Sequence, residues 1–348
     1  MCQNCATSTP TSGDGVQRRD VLRRAVLGGA AVGVAAAGLP AAAAGAAAPQ
    51  AAPSAATVAS GRAGVSMRWL GVSGWEIAFD GRVLYFDPYV SRFDYRLPGG
   101  PLAVDPTAVD RLLASGRLAG PPELIMISHG HWDHLADVPQ LLARPDWAAA
   151  TIRTISTETH RNLLRAMGTS DARLKNNIVA TGGEDLEFGG GAYRVQVIRS
   201  LHSQSLGYGF FAPGTRVAPP PAPASINDLV EGGTLAYHVT VRDRLKVLLF
   251  GGTNFVEREL SGLRPDVVAL CMTDYSSLHR YLERLLTVLG GPRYVIPVHH
   301  DDMVTGYDDP DLAATVDRTA VTRVRDVVRA LGLRTEVIEV EHLRPLLF

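Results

Sequence analysis

Cysteine is nearly missing from this chain of 348 residues. There are three, and Cys2 and Cys5 both stand ahead of an arginine pair near the N-terminus. Only Cys271 belongs to the body of the chain, so an internal disulfide framework is excluded there. Lysine is scarcer still, with two residues, and the formal net charge is only −1. Such a balance provides no basic stripe to follow a phosphate backbone, which argues against a nucleic-acid partner. It gives no reason to expect a polyanion or a membrane surface as partner either. No glycine-rich phosphate cradle occurs, and no repeat period runs from Val65 to Phe348. What remains is an ordinary globular composition, 46% hydrophobic and 20% charged, long enough for one large domain or two small ones.

The N-terminal stretch QRRDVLRRAVLGGAAVGVAAAGLPAAAAGAAA places Arg18, Arg19, Arg23 and Arg24 before an uncharged run. That run is almost all alanine and glycine, too weakly apolar for a good membrane anchor. Gln17 to Leu22 resembles a twin-arginine export signal, and Ala42–Ala44 offers a small-residue cleavage site. Residues 1–44 are therefore expected to direct export to a periplasmic, cell-wall or extracellular location, leaving no stable membrane span after cleavage. Cleavage removes four arginines against two aspartates, which takes the net charge from −1 to −3. Residues 45–64, rich in Ala, Pro and Ser, are expected to be a flexible linker. The folded domain is expected over 65–348.

Within that domain, SMRWL, WEIAF and RVLYF are strand-like, and Asp80-Gly81 between the last two is a hairpin signal. Asp105-Pro106 predicts a helix with Asp105 as N-cap. ELIMIS (123–128) is a continuous apolar run, as in a buried strand. TIRTIS, NNIVA, DLEF and YRVQVIRS follow as strands, with a helix over 157–166. Residues 212–233 hold five prolines and no period, so they are expected to form a long loop, a lid or binding loop. TLAYHVTV, KVLLF, DVVALCM, YVIPV and RTEVIEV then alternate with helices expected near 254–261, over SLHRYLERLLTVLG, and over 311–331. Strands alternating with helices in both halves indicate an α/β layered architecture.

The histidine cluster SHGHWDHLAD (128–137) begins where the buried strand ELIMIS ends. In an extended segment His129 and His131 project to one side, because side chains alternate with period two, and two neutral imidazoles so placed can share a metal. Asp133 and His134 follow where the chain turns into a helix, aimed at a second position nearby. Imidazole nitrogen and carboxylate oxygen are the donors zinc takes at catalytic sites, with manganese or iron also within reach. Trp132 inside the run suits either a pocket wall or core packing, the commoner use of tryptophan.

HGHWDH fits the HxHxDH motif of the metallo-β-lactamase superfamily, and the resemblance covers roughly 65–305. WLGVSGWEIAFDGRVLYFDPYV is similar to the opening hairpins of its branch of ascorbate-6-phosphate lactonase-like and N-acyl-phosphatidylethanolamine phospholipase-like proteins. SLHS, VLLFGGTNF and VIPVHH resemble its later motifs. The resemblance implies an αββα sandwich with the metals at one edge. It implies a first metal on His129, His131 and His202 and a second on Asp133, His134 and His299. Asp87, after a strand and before a proline, suits either a turn or a partner orienting a ligand histidine. His300 is open between ligand neighbour, substrate contact and bystander. His160, His238, His279 and His342 show no companion ligands and are expected to be structural.

One departure stands out. The family usually carries an aspartate that bridges both metals in a GDT-like turn, and here Gly252 occupies that place in Gly251-Gly252-Thr253-Asn254. Three resolutions follow: a single metal with Asp133 freed to act as general base; a substitute carboxylate from Asp274, Asp301 or Asp302; or an anionic substrate. Asp274 is the best stand-in, although it would serve equally as a helix N-cap. The expected activity is hydrolysis by a metal-bound hydroxide, oriented by Asp133, of a lactone, ester, amide or phosphodiester in a small molecule or lipid. Arg92, Arg96 and Arg216 fall in loops that could meet an anion. The alternative is a catalytically inactive metal- or ligand-binding protein on the same fold, which the glycine favours.

Overall fold

Both faces of the central strands are apolar, and this dictates the layering. The computed structural model describes residues 64–205 and 207–348. The expected export signal, and the expected linker apart from Gly64, lie outside the described residues. All described residues belong to one unit, Ala55–Phe348. Its strands are β1 (Ser66–Trp69), β2 (Trp75–Phe79), β3 (Arg82–Phe86), β4 (Leu124–Met126), β5 (Arg153–Ser156), β6 (Asn177–Val179) and β7 (Asp185–Phe188). They continue as β8 (Tyr193–Arg199), β9 (Leu235–Val241), β10 (Leu245–Phe250), β11 (Val267–Cys271), β12 (Tyr294–Val298), β13 (Glu336–Val337) and β14 (Pro345–Leu347). One seven-stranded sheet runs β14-β1-β2-β3-β4-β5-β6, the other β13-β12-β11-β10-β9-β8-β7.

Alternation along single strands shows how the layers meet. Leu84 and Phe86 of β3, and Leu124 and Met126 of β4, face the core between the sheets. Tyr85 and Ile125 point the other way, into a second core beneath helices Ala108–Ala114, Val138–Ala143 and Glu158–Ala166. On the second sheet, helices Tyr281–Val288 and Arg318–Ala330 bring Leu285, Leu286, Val324 and Val327 into a cluster continuous with the first core. This is the αββα sandwich. The Asp80-Gly81 hairpin joins β2 to β3 with both turn residues at positive φ, 46° and 74°, the backbone a tight two-residue turn needs.

Several boundaries differ from expectation. The helix expected at Asp105 begins at Ala108, because the Asp105 carboxylate accepts from the Thr107 amide and hydroxyl, closing a local turn that is not a helix N-cap. The helix expected over SLHRYLERLLTVLG is broken: a short 3₁₀ turn at Tyr275–Ser277 precedes the helix proper at Tyr281, with Arg280 left-handed between them. Helix 311–331 divides likewise, into a 3₁₀ turn Leu312–Thr315 and Arg318–Ala330, started afresh by the Asp317 cap on the Thr319 amide. The helix near 254–261 shrinks to Glu257–Leu260, and RTEVIEV pairs only through Glu336–Val337.

The 212–233 loop does not stand over the domain as a free lid. Hydrogen bonds to described residues outside it tie it down, among them Arg216 amide to Thr159 Oγ1 at 2.9 Å, Thr157 Oγ1 to the Gly232 carbonyl at 2.8 Å and the His160 ring to the Glu231 carbonyl at 2.9 Å. It also buries Ile226, Leu229 and Val230 in the second core. His160 is thus structural, as its isolation in sequence suggested, and it caps its own helix as well.

Among the described residues no helix is long and apolar enough to cross a membrane.

Candidate metal centre

The reactive side chains gather where strands of both sheets end on one edge, the usual place for a site in an open α/β sheet. Asp87 follows β3, Ser128 and His129 follow β4, His202 follows β8, Gly251 and Gly252 follow β10, Thr273 follows β11, and His299 follows β12. Cross-sheet bonds fix this edge: Leu235 donates to the Ser128 carbonyl at 2.8 Å, and the Tyr237 hydroxyl to the Ile127 carbonyl at 2.7 Å. Between the first two histidines only glycine fits. A Cβ on Gly130 would lie 2.2 Å from the Val230 carbonyl oxygen, and the Gly130 amide donates to the Glu231 carbonyl at 2.8 Å. The helix Trp132–Leu135 then starts at His131 and carries Asp133 and His134.

Six of these side chains form two groups. His129, His131 and His202 bring ligand atoms within 4.8 Å of one another, and Asp133, His134 and His299 do the same. Nε2 of His129 and of His131 is buried without any hydrogen-bond partner, which is costly unless something else takes the lone pair. The His202 Nδ1 bonds the Ser203 carbonyl at 2.9 Å, leaving its Nε2 free to ligate. In the second group, His134 Nε2 and His299 Nε2 converge on Asp133 Oδ2 at 3.4 and 3.3 Å. Three neutral imidazoles in one group, and two imidazoles with a carboxylate in the other, fit a divalent metal such as zinc.

Behind the ligands Asp87 acts as a hub. Its Oδ2 lies 2.8 Å from His134 Nδ1 and accepts from Ser73 Oγ at 3.0 Å and Ser128 Oγ at 2.6 Å; its Oδ1 accepts from the Ser128 amide at 2.7 Å. Ser128 Oγ also bonds His129 Nδ1 at 2.9 Å, so one buried carboxylate orients ligands of both groups. Thr273 does the same for His299 Nδ1 at 2.6 Å. Val72, Asp87, Arg92 and His299 all hold left-handed backbone that their side chains disfavour, strain of a kind that collects at functional sites.

A model of the β-lactamase superfamily domain matches residues 66–299. The chain belongs to the metallo-β-lactamase superfamily. A metal-dependent hydrolase of Methanobrevibacter smithii is 24% identical over 257 residues, covering 72% of this chain and 87% of that protein. The solved structure of a metallo hydrolase from Ignicoccus hospitalis superposes with a TM-score of 0.51 at 18% identity, covering 82% of this chain and 99% of that one. Superfamily membership rests on the domain match, and the structural likeness bears on the fold alone.

The structure narrows what can replace the superfamily's bridging aspartate. Asp274 is exposed, belongs to neither group and makes no side-chain cap, so the expected stand-in and its N-cap alternative both fail. Asp301 is spent elsewhere: it accepts from the Val72 amide at 3.0 Å, pairs with buried Arg92 at 2.8 Å and bonds His342 at 2.9 Å. Asp302 pairs with Arg92 at 3.3 Å. Arg92 is therefore no anion contact, though the sequence allowed one. His300, 8% exposed, belongs to neither ligand group. It stacks on Trp69 at 5.5 Å with both ring nitrogens unpaired, and burial pushes its pKa to about 4. Trp132 packs in the core against Tyr89, Phe93 and Tyr95.

Sequence reasoning missed Ser73, Ser128, Thr273 and the Asp301–Arg92 pair. Ser128 directly precedes His129 and was findable as a neighbour; the others carry no local signal.

The two groups differ in protonation before any metal arrives. Burial holds His129 well below the ordinary histidine value, His131 at about 3 and His202 at about 4, so the first group is neutral and ready. Burial also opposes a charge on His134, but Asp133 and Asp87 outweigh it and raise its pKa, so it holds a proton at neutral pH. A metal must expel that proton. Calorimetry in buffers of different ionisation enthalpy should find about one proton released at the second group and none at the first. Affinity for the second metal should rise about tenfold per pH unit through neutrality. Equal proton release at both groups would refute the asymmetry.

Proposed function

We propose that this protein is an exported metal-dependent hydrolase acting on an ester, lactone, amide or phosphodiester of a small molecule or lipid. The observation that carries the reading is the pair of adjacent ligand groups, one with buried, unpaired imidazole nitrogens and the other closing on a single carboxylate oxygen. The name of the archaeal relative, a metal-dependent hydrolase, supports it. The donor set suits zinc, with manganese or iron as competitors. Held there, a divalent metal supplies Lewis acidity toward a carbonyl or phosphoryl oxygen and makes water acidic enough to attack near neutral pH. The protein's part is positioning and charge. His129, His131 and His202 stay neutral and fixed by their own hydrogen bonds. Burial opposes the charge on Asp133, but His134 and His299 hold its carboxyl well below the usual range, so it is an acceptor-only carboxylate that can orient a nucleophile.

A panel of chromogenic esters, lactones and anilides, with bis-aryl phosphodiesters, tests the reading on protein loaded with zinc, manganese or iron. Turnover should vanish on chelation, return with metal and be absent in His131→Ala. Metal binding without turnover in every class would favour a catalytically inactive binding protein, the reading that Gly252 supports. Export rests on the twin-arginine-type segment. Replacing Arg18 and Arg19 together with lysine should retain the protein in the cytoplasm, and unchanged export would sink that part.

A further inference from the structure

The segment lying against the ligand histidines is the short stretch before the proline-rich loop, residues 207–212. The Phe210 ring lies tilted against His202, centroids 4.7 Å apart with 32° between the planes, and Phe211 meets His131 edge-on at 5.4 Å. Both phenylalanines are only half-buried, and Tyr208, two residues earlier, is 92% exposed on left-handed backbone. The stretch is firmly placed at its far end, where the Ala212 carbonyl accepts from the Glu231 amide at 2.9 Å. Half-exposed aromatic rings packed on metal-binding imidazoles are apolar surface that water covers poorly and a ligand can cover. The nearby loop cations offer little to an anion. Arg92 is buried against Asp301 and Asp302, Arg96 is paired with Asp94, and the Arg216 guanidinium bonds the Thr215 carbonyl.

We propose that Phe210 and Phe211 form an apolar wall of the substrate site, and that the substrate carries an uncharged aryl or long acyl group beside the bond that is cleaved. This rests on the hydrolase reading for the identity of the reaction but not for the wall itself. A ligand atom held at the first histidine group meets these two rings next, so its apolar substituent is desolvated there. An anionic substituent lying against the two rings would lose its water there without gaining a hydrogen-bond partner from them.

Two hydroxamates with the same chelating head, benzohydroxamate and acetohydroxamate, test the wall on the metal-loaded full chain. Calorimetry should find benzohydroxamate, with its phenyl ring, about ten- to hundredfold tighter, the effect of burying one aromatic ring. In Phe210→Ala/Phe211→Ala the two affinities should converge while metal content by plasma mass spectrometry stays unchanged, and Phe211→Leu should retain most of the preference. Equal affinities in the wild type overturn the proposal, a comparison that stands whether or not the variants fold. Undiminished preference in the double variant overturns it too. Metal loss in that variant would do the same, making the phenylalanines braces for the histidines. Clear preference in a protein that turns over no substrate class would leave the wall standing and remove the hydrolase reading.

Discussion

Asp87→Ala should cost the protein about 3–5 kcal/mol of stability and weaken metal binding by about two orders of magnitude. The carboxylate is fully buried and serves His134 Nδ1, Ser73 Oγ, Ser128 Oγ and the Ser128 amide at once. Removing it takes the charged acceptor from all four where water cannot reach: the Ser128 amide is left with no partner, and His134 Nδ1 keeps Ser73 Oγ, at 3.0 Å, as its nearest one. An orphaned buried donor costs about 1–3 kcal/mol before relaxation, and one facing a charge costs more. It also removes one of the two negative groups that keep a proton on His134. The loss should be uneven. Asp87 touches His134 directly but His129 only through Ser128, so the second metal should leave at lower chelator concentration than the first. Asp87→Asn keeps the shape and tolerates the left-handed backbone, so it should fold better than the alanine while still losing the second metal.

The pH dependence of metal-free stability checks the same hub. His134 is raised, so its contribution is fully present below the unfolded histidine value of about 6.5 and fades as pH climbs through the raised one. Asp87→Ala should flatten that decline. Thermal unfolding against pH, with chelator titration beside it, reads all of this; wild-type stability and wild-type metal retention in the alanine variant would defeat the hub.

Gly252→Asp should move the protein from one tightly held metal to two, tightening the second by about a hundredfold. Two divalent ions bring four positive charges, and Asp133 is the only carboxylate in either ligand group. A carboxylate about 4 Å from a divalent ion gains ~8 kcal/mol at an effective dielectric of ~20. Desolvation takes most of that back, and a remainder of ~2.7 kcal/mol is a hundredfold in affinity. The position admits the change. A Cβ on Gly252 would lie 3.2 Å from the Leu201 carbonyl oxygen and 3.5 Å from His202 Cα, a contact that asks the backbone to give by a few tenths of an ångström. Gly251 next door is different: its Cβ would fall 1.9 Å from Ser128 Oγ and 2.6 Å from Asp87 Oδ2, inside the hub itself. The pair therefore makes an internal control, with Gly251→Asp expected to disrupt folding. Metal per chain after dialysis decides the matter. Two chelator-resistant metals already in the wild type would mean that the aspartate was never needed here.

Candidate ligands close together in sequence were legible as a cluster because local geometry alone aims them. His129, His131, Asp133 and His134 lie on one extended segment running into one turn of helix, and period two followed by a helical turn is readable from six letters. The strands around them were legible too, since each is a continuous apolar run or an alternation. Their helices were less so, because Asp105 and Arg280 settle boundaries through turn geometry that competes with helix.

By itself, then, the sequence determined the two-layered α/β plan and the HxHxDH run, together with the single cysteine of residues 65–348 and the glycine at 252. Only the tertiary structure decided what surrounds them. Ser73 reaches His134 across 61 positions, Arg92 reaches Asp301 across 209, and Phe211 meets His131 from a different strand connection. Whether a carboxylate such as Asp301 is free to serve a metal depends on which cation folds against it. No local pattern of residues encodes that choice, because the partner is selected by how two sheets close on each other.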